Sequence, residues 1–416
     1  MQQLYIEGGY PLKGTVRVSG AKNAALAIIC AALLASEPVY LENIPEIKDV
    51  EVLLDIVANL GVNVEYSNSD AVKISPNGSV ITSTPYEEVK KLRASNLLLG
   101  PLLARFGKAE IPLPGGCNIG SRPMDLHIKG LEAMGAKITL EHGFINGTCG
   151  RLTGTKVYLD FPSVGATENI MMAAALAKGQ TILENVAKEP EIVDLANFLN
   201  SMGGKIRGAG TDVIKIEGVD QLGGGRYSVI PDRIEAGTFM VAAAATKGDL
   251  IIEHVISTHV EPLIAKLREA NVDVIEEDDS IRVIYREPLR SIDIKTLPYP
   301  GFPTDMQSQV MAMLTIVSGT SVIIENVFEN RLQVADEFKR MGARIKVEGR
   351  SAVIQGVKKL QGAQVKASDL RAGAALIIGG LIADGETEIC NTHYIDRGYE
   401  KIEVKLASLG AKIRRK

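Results

Sequence analysis

The sequence predicts an α/β fold built from repeated units, on three observations. A helical stretch ending in Met-Gly or Leu-Gly recurs about every 70 residues. The copies are Leu60-Gly61, Met134-Gly135, Met202-Gly203, Met341-Gly342 and Leu409-Gly410. Ala270-Asn271 is a degenerate sixth copy, since Asn is the other residue tolerated in a left-handed C-terminal cap. Short β-like runs follow most of these steps, as in Ala136-Lys137-Ile138-Thr139-Leu140 and Ala343-Arg344-Ile345-Lys346-Val347. Each unit also carries one nearly all-apolar helical stretch. Spacing this regular marks repeated supersecondary units.

The apolar stretches are 23–34, 96–104, 169–177, 236–245, 309–317 and 372–382. A helix apolar on every side is buried on every side. The second helix of a unit is amphipathic: Ile192, Leu195, Ala196, Leu199 and Met202 share one stripe, with Glu191, Asp194 and Asn200 off it. Sheets covering a central helix cluster follow. The termini then complete each other. Unit three closes with 213–218 and Leu222-Gly223-Gly224, and unit five with 353–356 and Leu360-Gln361-Gly362. Unit six stops at Lys416 without such a strand, and 4–8 with Leu12-Lys13-Gly14 supplies it. Residues 1–20 plus 230–416 should therefore form a discontinuous C-terminal domain, and 21–229 the N-terminal domain. Two domains also suit the size one core can serve. The repeat alone would equally allow a six-unit solenoid.

Apolar content of 46% and charged content of 23% are those of an ordinary globular protein. A formal charge of −4 argues against a nucleic-acid or membrane partner recruited by net charge. Four cysteines (Cys30, Cys117, Cys149, Cys390) are too scattered for a disulfide framework or a CxxC site. The five histidines never fall at HExxH spacing, so neither a metal nor another cofactor is expected. The first residues lack a signal-peptide pattern and the apolar runs are too short for a bilayer, which predicts a cytoplasmic protein of unspecified oligomeric state.

Chemistry is expected where the buried helices begin. Thr167, Asp232 and Ser368 read as N-caps. Lys22, Arg93 and Arg371 do not, because a cation there opposes the helix dipole by a few tenths of a kcal/mol unless an anion is present. Three such cations at equivalent places of one repeat predict a shared anionic site. A second candidate is the loop Leu113-Pro114-Gly115-Gly116-Cys117-Asn118-Ile119-Gly120-Ser121-Arg122, which leads into a helix from about Pro123. Its thiol, five residues before Arg122, should ionise more readily than a free cysteine. Cys30, inside an apolar run, reads as inert core, and His127 as a capping or packing residue.

This loop, Lys22-Asn23 and Asp369-Leu370-Arg371 resemble the UDP-N-acetylglucosamine 1-carboxyvinyltransferase branch of the enolpyruvyl transferase family. The resemblance runs end to end through Ser163-Val164-Gly165-Ala166-Thr167, Pro231-Asp232-Arg233-Ile234-Glu235, Phe302-Pro303-Thr304-Asp305-Met306-Gln307 and Ile395-Asp396-Arg397-Gly398-Tyr399. It implies a two-domain inside-out α/β barrel of six units, three per domain, with the active site between the domains. It also implies two small-molecule substrates, phosphoenolpyruvate and UDP-N-acetylglucosamine. By the resemblance Lys22, Asn23, Arg122, Arg331, Arg371 and Arg397 serve phosphoenolpyruvate. Arg93, Arg122, Pro123, Met124, Asp125, Leu126, Asp305 and Val327 serve the nucleotide sugar. Cys117 is then the acid toward C3, Asp305 the base toward the sugar hydroxyl, and Lys22 and Arg397 the charges at the phosphate. Some members carry a lysine just before the Ser163 motif, where this chain has Phe161-Pro162. Two other readings compete: 3-phosphoshikimate 1-carboxyvinyltransferase, which lacks the loop cysteine, and a non-catalytic repeat scaffold.

Overall fold

The computed structural model describes residues 2–68, 70–76, 80–84, 92–113, 119–120 and 124–416, without the side chain of Arg93. Cys117, Arg122 and Pro123 lie outside the described residues. The chain divides into two compact units. Among the described residues the first takes 2–19, 119–120 and 231–416, and the second takes the rest of 20–230. Ile119 and Gly120 thus group with the first unit, where the Asn330 N–H donates to the Ile119 carbonyl at 3.1 Å.

One strand order recurs in the sheets. In the first unit Lys13–Arg17 runs parallel to Asp249–Glu253, which pairs antiparallel with Ser280–Ile284, itself antiparallel to Asp273–Glu276. Ile294–Lys295, Thr320–Ile324, Ser351–Gln355 and Arg344–Glu348 repeat the pattern. So do Gln364–Lys366, Glu386–Cys390, Leu4–Glu7 and Lys412–Arg415, with the N-terminal strand paired on both edges in the third place. The second unit holds Gly225–Ser228, Val39–Glu42, Ala71–Ser75, Asn63–Asn68 and Lys156–Tyr158, Gln180–Glu184, Val213–Glu217, Lys205–Arg207 in the same order. Its third sheet, Lys108–Pro112, Phe144–Thr148 and Lys137–Glu141, has a single parallel bridge from Ser83 to Glu110 in the first place.

Each unit has its own apolar core around three buried helices. These are Lys22–Ala31, Leu99–Phe106 and Val164–Ala175 in the second unit, and Arg233–Ala245, Gln307–Leu314 and Leu370–Ile382 in the first. Such close packing needs small residues where backbones meet. A Cβ on Gly100 would lie 2.3 Å from the Asn169 carbonyl oxygen. Asn169, fully buried, instead accepts the Gly100 N–H through Oδ1 (2.6 Å) and donates to the Asn96 carbonyl (2.8 Å). The residues that end the surface helices take the left-handed conformation: φ is 89° at Gly61, 100° at Gly135 and Gly203, 88° at Gly342, 97° at Gly410 and 69° at Asn271.

Helix starts depart from the sequence reading at two of three caps. Asp232 does cap its helix, accepting the N–H groups of Ile234 and Glu235. In Val164–Ala175, Ser163 rather than Thr167 is the cap. The Thr167 hydroxyl sits one turn in, donating to the Ser163 carbonyl and accepting from Ala187 N–H. Asp369 rather than Ser368 caps Leu370–Ile382, because its carboxylate reaches both Arg371 and Ala372 N–H groups. The helix after the glycine-rich loop begins at Asp125.

The amphipathic helix Pro190–Ser201 carries a buried acid, Asp194. Burial pushes its carboxyl up to about 6, against hydrogen bonds from the Tyr227 hydroxyl (2.6 Å) and Ile230 N–H (3.3 Å) that favour the charged form. A carboxyl that holds its proton more tightly when folded contributes stability below about pH 4, and that stability is lost as pH rises through about 6. The shift corresponds to about 3 kcal/mol. Asp194→Asn should therefore flatten the loss of stability between acid and neutral pH by about that amount. Urea-unfolding midpoints of both proteins across this range test it, and an unchanged pH slope would refute it.

Candidate active site

The segment Phe302-Pro303-Thr304-Asp305 turns through the 3-10 helix Thr304–Met306 into the buried helix Gln307–Leu314. The turn aims Asp305 at two guanidiniums from other elements of the same unit. Arg331, at the start of the 3-10 helix Arg331–Gln333, places Nη1 2.7 Å from Oδ1. Arg371, in the first turn of Leu370–Ile382, places Nη2 2.9 Å and Nε 3.2 Å from Oδ2. Both arginines are buried. Burial alone would push the Asp305 carboxyl up; the Arg371 charge, then that of Arg331, overcome this and hold it well below the usual range. The carboxylate is therefore ionised at any working pH.

A second layer of neutral groups orients Arg371. Its Nη1 donates to the Tyr399 hydroxyl at 3.3 Å, and that hydroxyl shares a hydrogen bond with Thr238 Oγ1 at 2.9 Å. Gln309 Nε2 donates to the Asp305 carbonyl (2.9 Å), Thr238 (3.3 Å) and Tyr399 (3.3 Å). Arg397 is half-buried two residues before Tyr399, and its neighbour Asp396 is held by Arg415 at 2.7 and 3.0 Å. Val327 follows Thr320–Ile324, its N–H donated to Glu325 at 2.8 Å. Chemically, the cluster offers a permanent carboxylate beside two rigid forks suited to a carboxylate or phosphate.

In the second unit Lys22 opens its buried helix with Nζ 2.7 Å from Asp49 Oδ2, both side chains buried. Asn23 beside it is exposed. Met124 is buried, its sulfur accepting from Asn96 Nδ2 at 3.2 Å, while Asp125 is exposed and Leu126 half-buried. His127 packs as expected, Nδ1 3.0 Å from Asn169 Nδ2. Cys30 is fully buried and its thiol is pushed up by burial and by Glu168. Cys117, Arg122, Pro123 and the Arg93 side chain lie outside the described residues.

Two of the cations expected to await a ligand anion at helix starts are met by protein carboxylates instead. Lys22 has Asp49 and Arg371 has Asp305, so protein carboxylates already answer the dipole at both. The structure brings Asp305, Arg331 and Arg371 together. Sequence reasoning missed the groups that hold them, Glu325, Thr304, Gln309 and Tyr399, and it missed Asp49, which holds Lys22. Only Thr304 and Tyr399 carried a signal, as members of the motifs around Asp305 and Arg397.

The family described as EPSP synthase (3-phosphoshikimate 1-carboxyvinyltransferase) matches residues 6–406. The chain belongs to this family of enolpyruvyl transferases. It is similar over its whole length to a UDP-N-acetylglucosamine 1-carboxyvinyltransferase of Carboxydothermus hydrogenoformans, at 59% identity covering 100% of this chain and 99% of that one. A protein of the same name from Caldanaerobacter subterraneus is also 59% identical, over 99% of each chain. One from Halalkalibacterium halodurans is 57% identical over 100% of this chain and 94% of its own. Among solved structures, the enolpyruvyl transferase NikO from Streptomyces tendae superposes with a TM-score of 0.90 at 26% identity, covering 100% and 99% of the two chains. EPSP synthase from Acinetobacter baumannii, at 22% identity and a TM-score of 0.81 over both full chains, shares the fold. Membership makes this enolpyruvyl transferase fold α/β and the protein a transferase.

Proposed function

We propose that this chain transfers the enolpyruvyl group of phosphoenolpyruvate to the 3-hydroxyl of UDP-N-acetylglucosamine and releases phosphate, the first committed step of peptidoglycan precursor synthesis. The observation that carries this is the full-length identity of 57–59% with proteins named for that reaction. In the addition step the sugar oxygen bonds to C2 while its proton passes to Asp305. C3 gains a proton from Cys117, giving a tetrahedral intermediate. Loss of that C3 proton and departure of phosphate then form the enol ether. Lys22, Arg122 and Arg397 hold the phosphate-bearing substrate beside Asn23, with Arg331 and Arg371 lining the same pocket. Arg93, the segment 122–126, Asp305 and Val327 hold the nucleotide sugar.

The pairing of Asp305 with two arginines bears on the base. A carboxylate so stabilised is a weak one. An incoming substrate carboxylate competes for the guanidiniums, and Asp305 regains basicity as they turn to it. We also read the recurring sheets as six repeated units, three to each domain, closing inside-out α/β barrels, with domains at 1–20 plus 230–416 and 21–229. The cytoplasm is the expected setting, where a thiol stays reduced. No helix among the described residues is long and apolar enough to cross a membrane.

Phosphate release with each acceptor tests the reading. Turnover with UDP-N-acetylglucosamine and none with shikimate 3-phosphate is expected; the reverse would assign the alternative enzyme, and none with either would favour a scaffold. Arg397→Ala should lower kcat/KM for phosphoenolpyruvate roughly 10–150-fold, the value of one charge-assisted contact of about 1.5–3 kcal/mol. A change within twofold would remove Arg397 from the site.

A further inference from the structure

Glu325 is almost fully buried at the end of strand Thr320–Ile324, and its carboxylate gathers four donors. Oε1 accepts the Thr296 hydroxyl (2.9 Å), Val327 N–H (2.8 Å) and Phe328 N–H (3.1 Å). Oε2 accepts the Thr304 hydroxyl at 2.8 Å. A hydroxyl has one proton. Because Thr304 gives its proton to Glu325, its lone pairs face Arg331, whose Nη1 donates to Thr304 Oγ1 at 2.9 Å and to Asp305 Oδ1 at 2.7 Å. The carboxylate thus has two branches. One fixes the turn carrying Val327; the other fixes, through Thr304, the arginine that grips Asp305.

We propose that Glu325 and Thr304 are positioning residues of the active site, Glu325 setting both the Val327 turn and the Thr304–Arg331–Asp305 chain. The proposal rests on Asp305 and Val327 serving the nucleotide sugar. Both oxygens at 325 act only as acceptors, and an amide there would turn a donor toward one branch. An apolar residue at 304 would strip Arg331 of its second acceptor and leave the guanidinium free to rotate about Asp305.

Thr296 supplies the comparison. It is fully buried where Thr304 is half-buried, and it bonds the same carboxylate but leads away from Asp305, its Oγ1 accepting Asn326 N–H at 2.9 Å. Thr296→Val should therefore cost stability without touching the Asp305 branch. The experiment measures thermal stability, kcat and KM for UDP-N-acetylglucosamine in Thr304→Val, Thr304→Ser, Thr296→Val and Glu325→Gln. Thr304→Val should lower kcat about tenfold with KM within twofold, Thr304→Ser should restore at least half of kcat, and Thr296→Val should keep kcat within twofold at an equal or larger loss of stability. Glu325→Gln should lower kcat about tenfold and raise KM about tenfold, because it disturbs both branches. Equal kcat in Thr304→Val and Thr296→Val, or no recovery in Thr304→Ser, would overturn the proposal. If Thr304→Val does not fold, Glu325→Gln decides: wild-type kcat and KM would overturn it. A wild-type protein inactive with these substrates would count against the proposed reaction instead, a result distinguishable from failure of the variants.

Discussion

Asp305→Ala should lose 10²–10⁴-fold in turnover, the usual worth of a general acid or base, while still binding UDP-N-acetylglucosamine through its remaining contacts. The structure adds a second consequence. Arg331 and Arg371 are buried and both face this carboxylate, at 2.7 and 2.9 Å. Removing it leaves two guanidiniums with an uncompensated charge, which typically costs about 3–5 kcal/mol. Asp305→Asn keeps the shape and loses only the charge, so it should share most of both losses. The pH dependence has a definite sign. Because the folded carboxyl lies well below its unfolded value, its stabilisation is present above about pH 4 and is lost as pH falls toward the folded value. The difference in unfolding midpoint between wild type and Asp305→Asn should therefore be full at neutral pH and narrow in acid. Undiminished turnover by Asp305→Ala would remove the base. A midpoint difference that ignored pH would show that the charge pairing is not what stabilises the site.

How much of this was legible beforehand differs by kind of signal. The apolar stretches, and the Gly or Asn that ends each surface helix, repeat in the sequence because local backbone conformation demands them. Asn271, with φ of 69°, was readable as a sixth copy for that reason. The place of strand Leu4–Glu7 between Glu386–Cys390 and Lys412–Arg415 was readable because the last repeat lacked a strand. One cap was legible to within a residue, at Ser368 and Asp369, where either side chain could accept the same N–H groups, while Thr167 stood four residues from the true cap, Ser163. Glu325 was not legible at all. Its partners come from positions 296, 304, 327 and 328, and no local pattern ties an acid at a strand end to a threonine on another element. Asp49 was hidden likewise: a pair formed across 27 residues leaves no periodic trace, so Lys22 looked like a cation lacking an anion.

The remaining large effect concerns Cys117, whose case rests on the sequence and on family membership. It stands in a glycine-rich loop five residues before Arg122. If it delivers the proton to C3, a carboxylic acid of similar reach can replace it, whereas a hydroxyl, a far weaker acid, cannot. Cys117→Asp should retain turnover, and Cys117→Ser should fall by about 10²–10⁴-fold. The pH profile gives a sharper test than either rate. An acid must be protonated to act, so activity fails above its pKa. A free thiol titrates near 8.5 and lower beside cations, a carboxyl near 4. The basic limb of the kcat profile should move to lower pH in Cys117→Asp, with the acid limb left to other groups. Reactivity should separate too: the wild-type thiolate is a nucleophile that an epoxide alkylates, and the carboxylate variant should resist that inactivation while turning over. Wild-type turnover by Cys117→Ser would mean the thiol is not the proton donor. An unmoved basic limb in an active Cys117→Asp would mean that the limb belongs to another group.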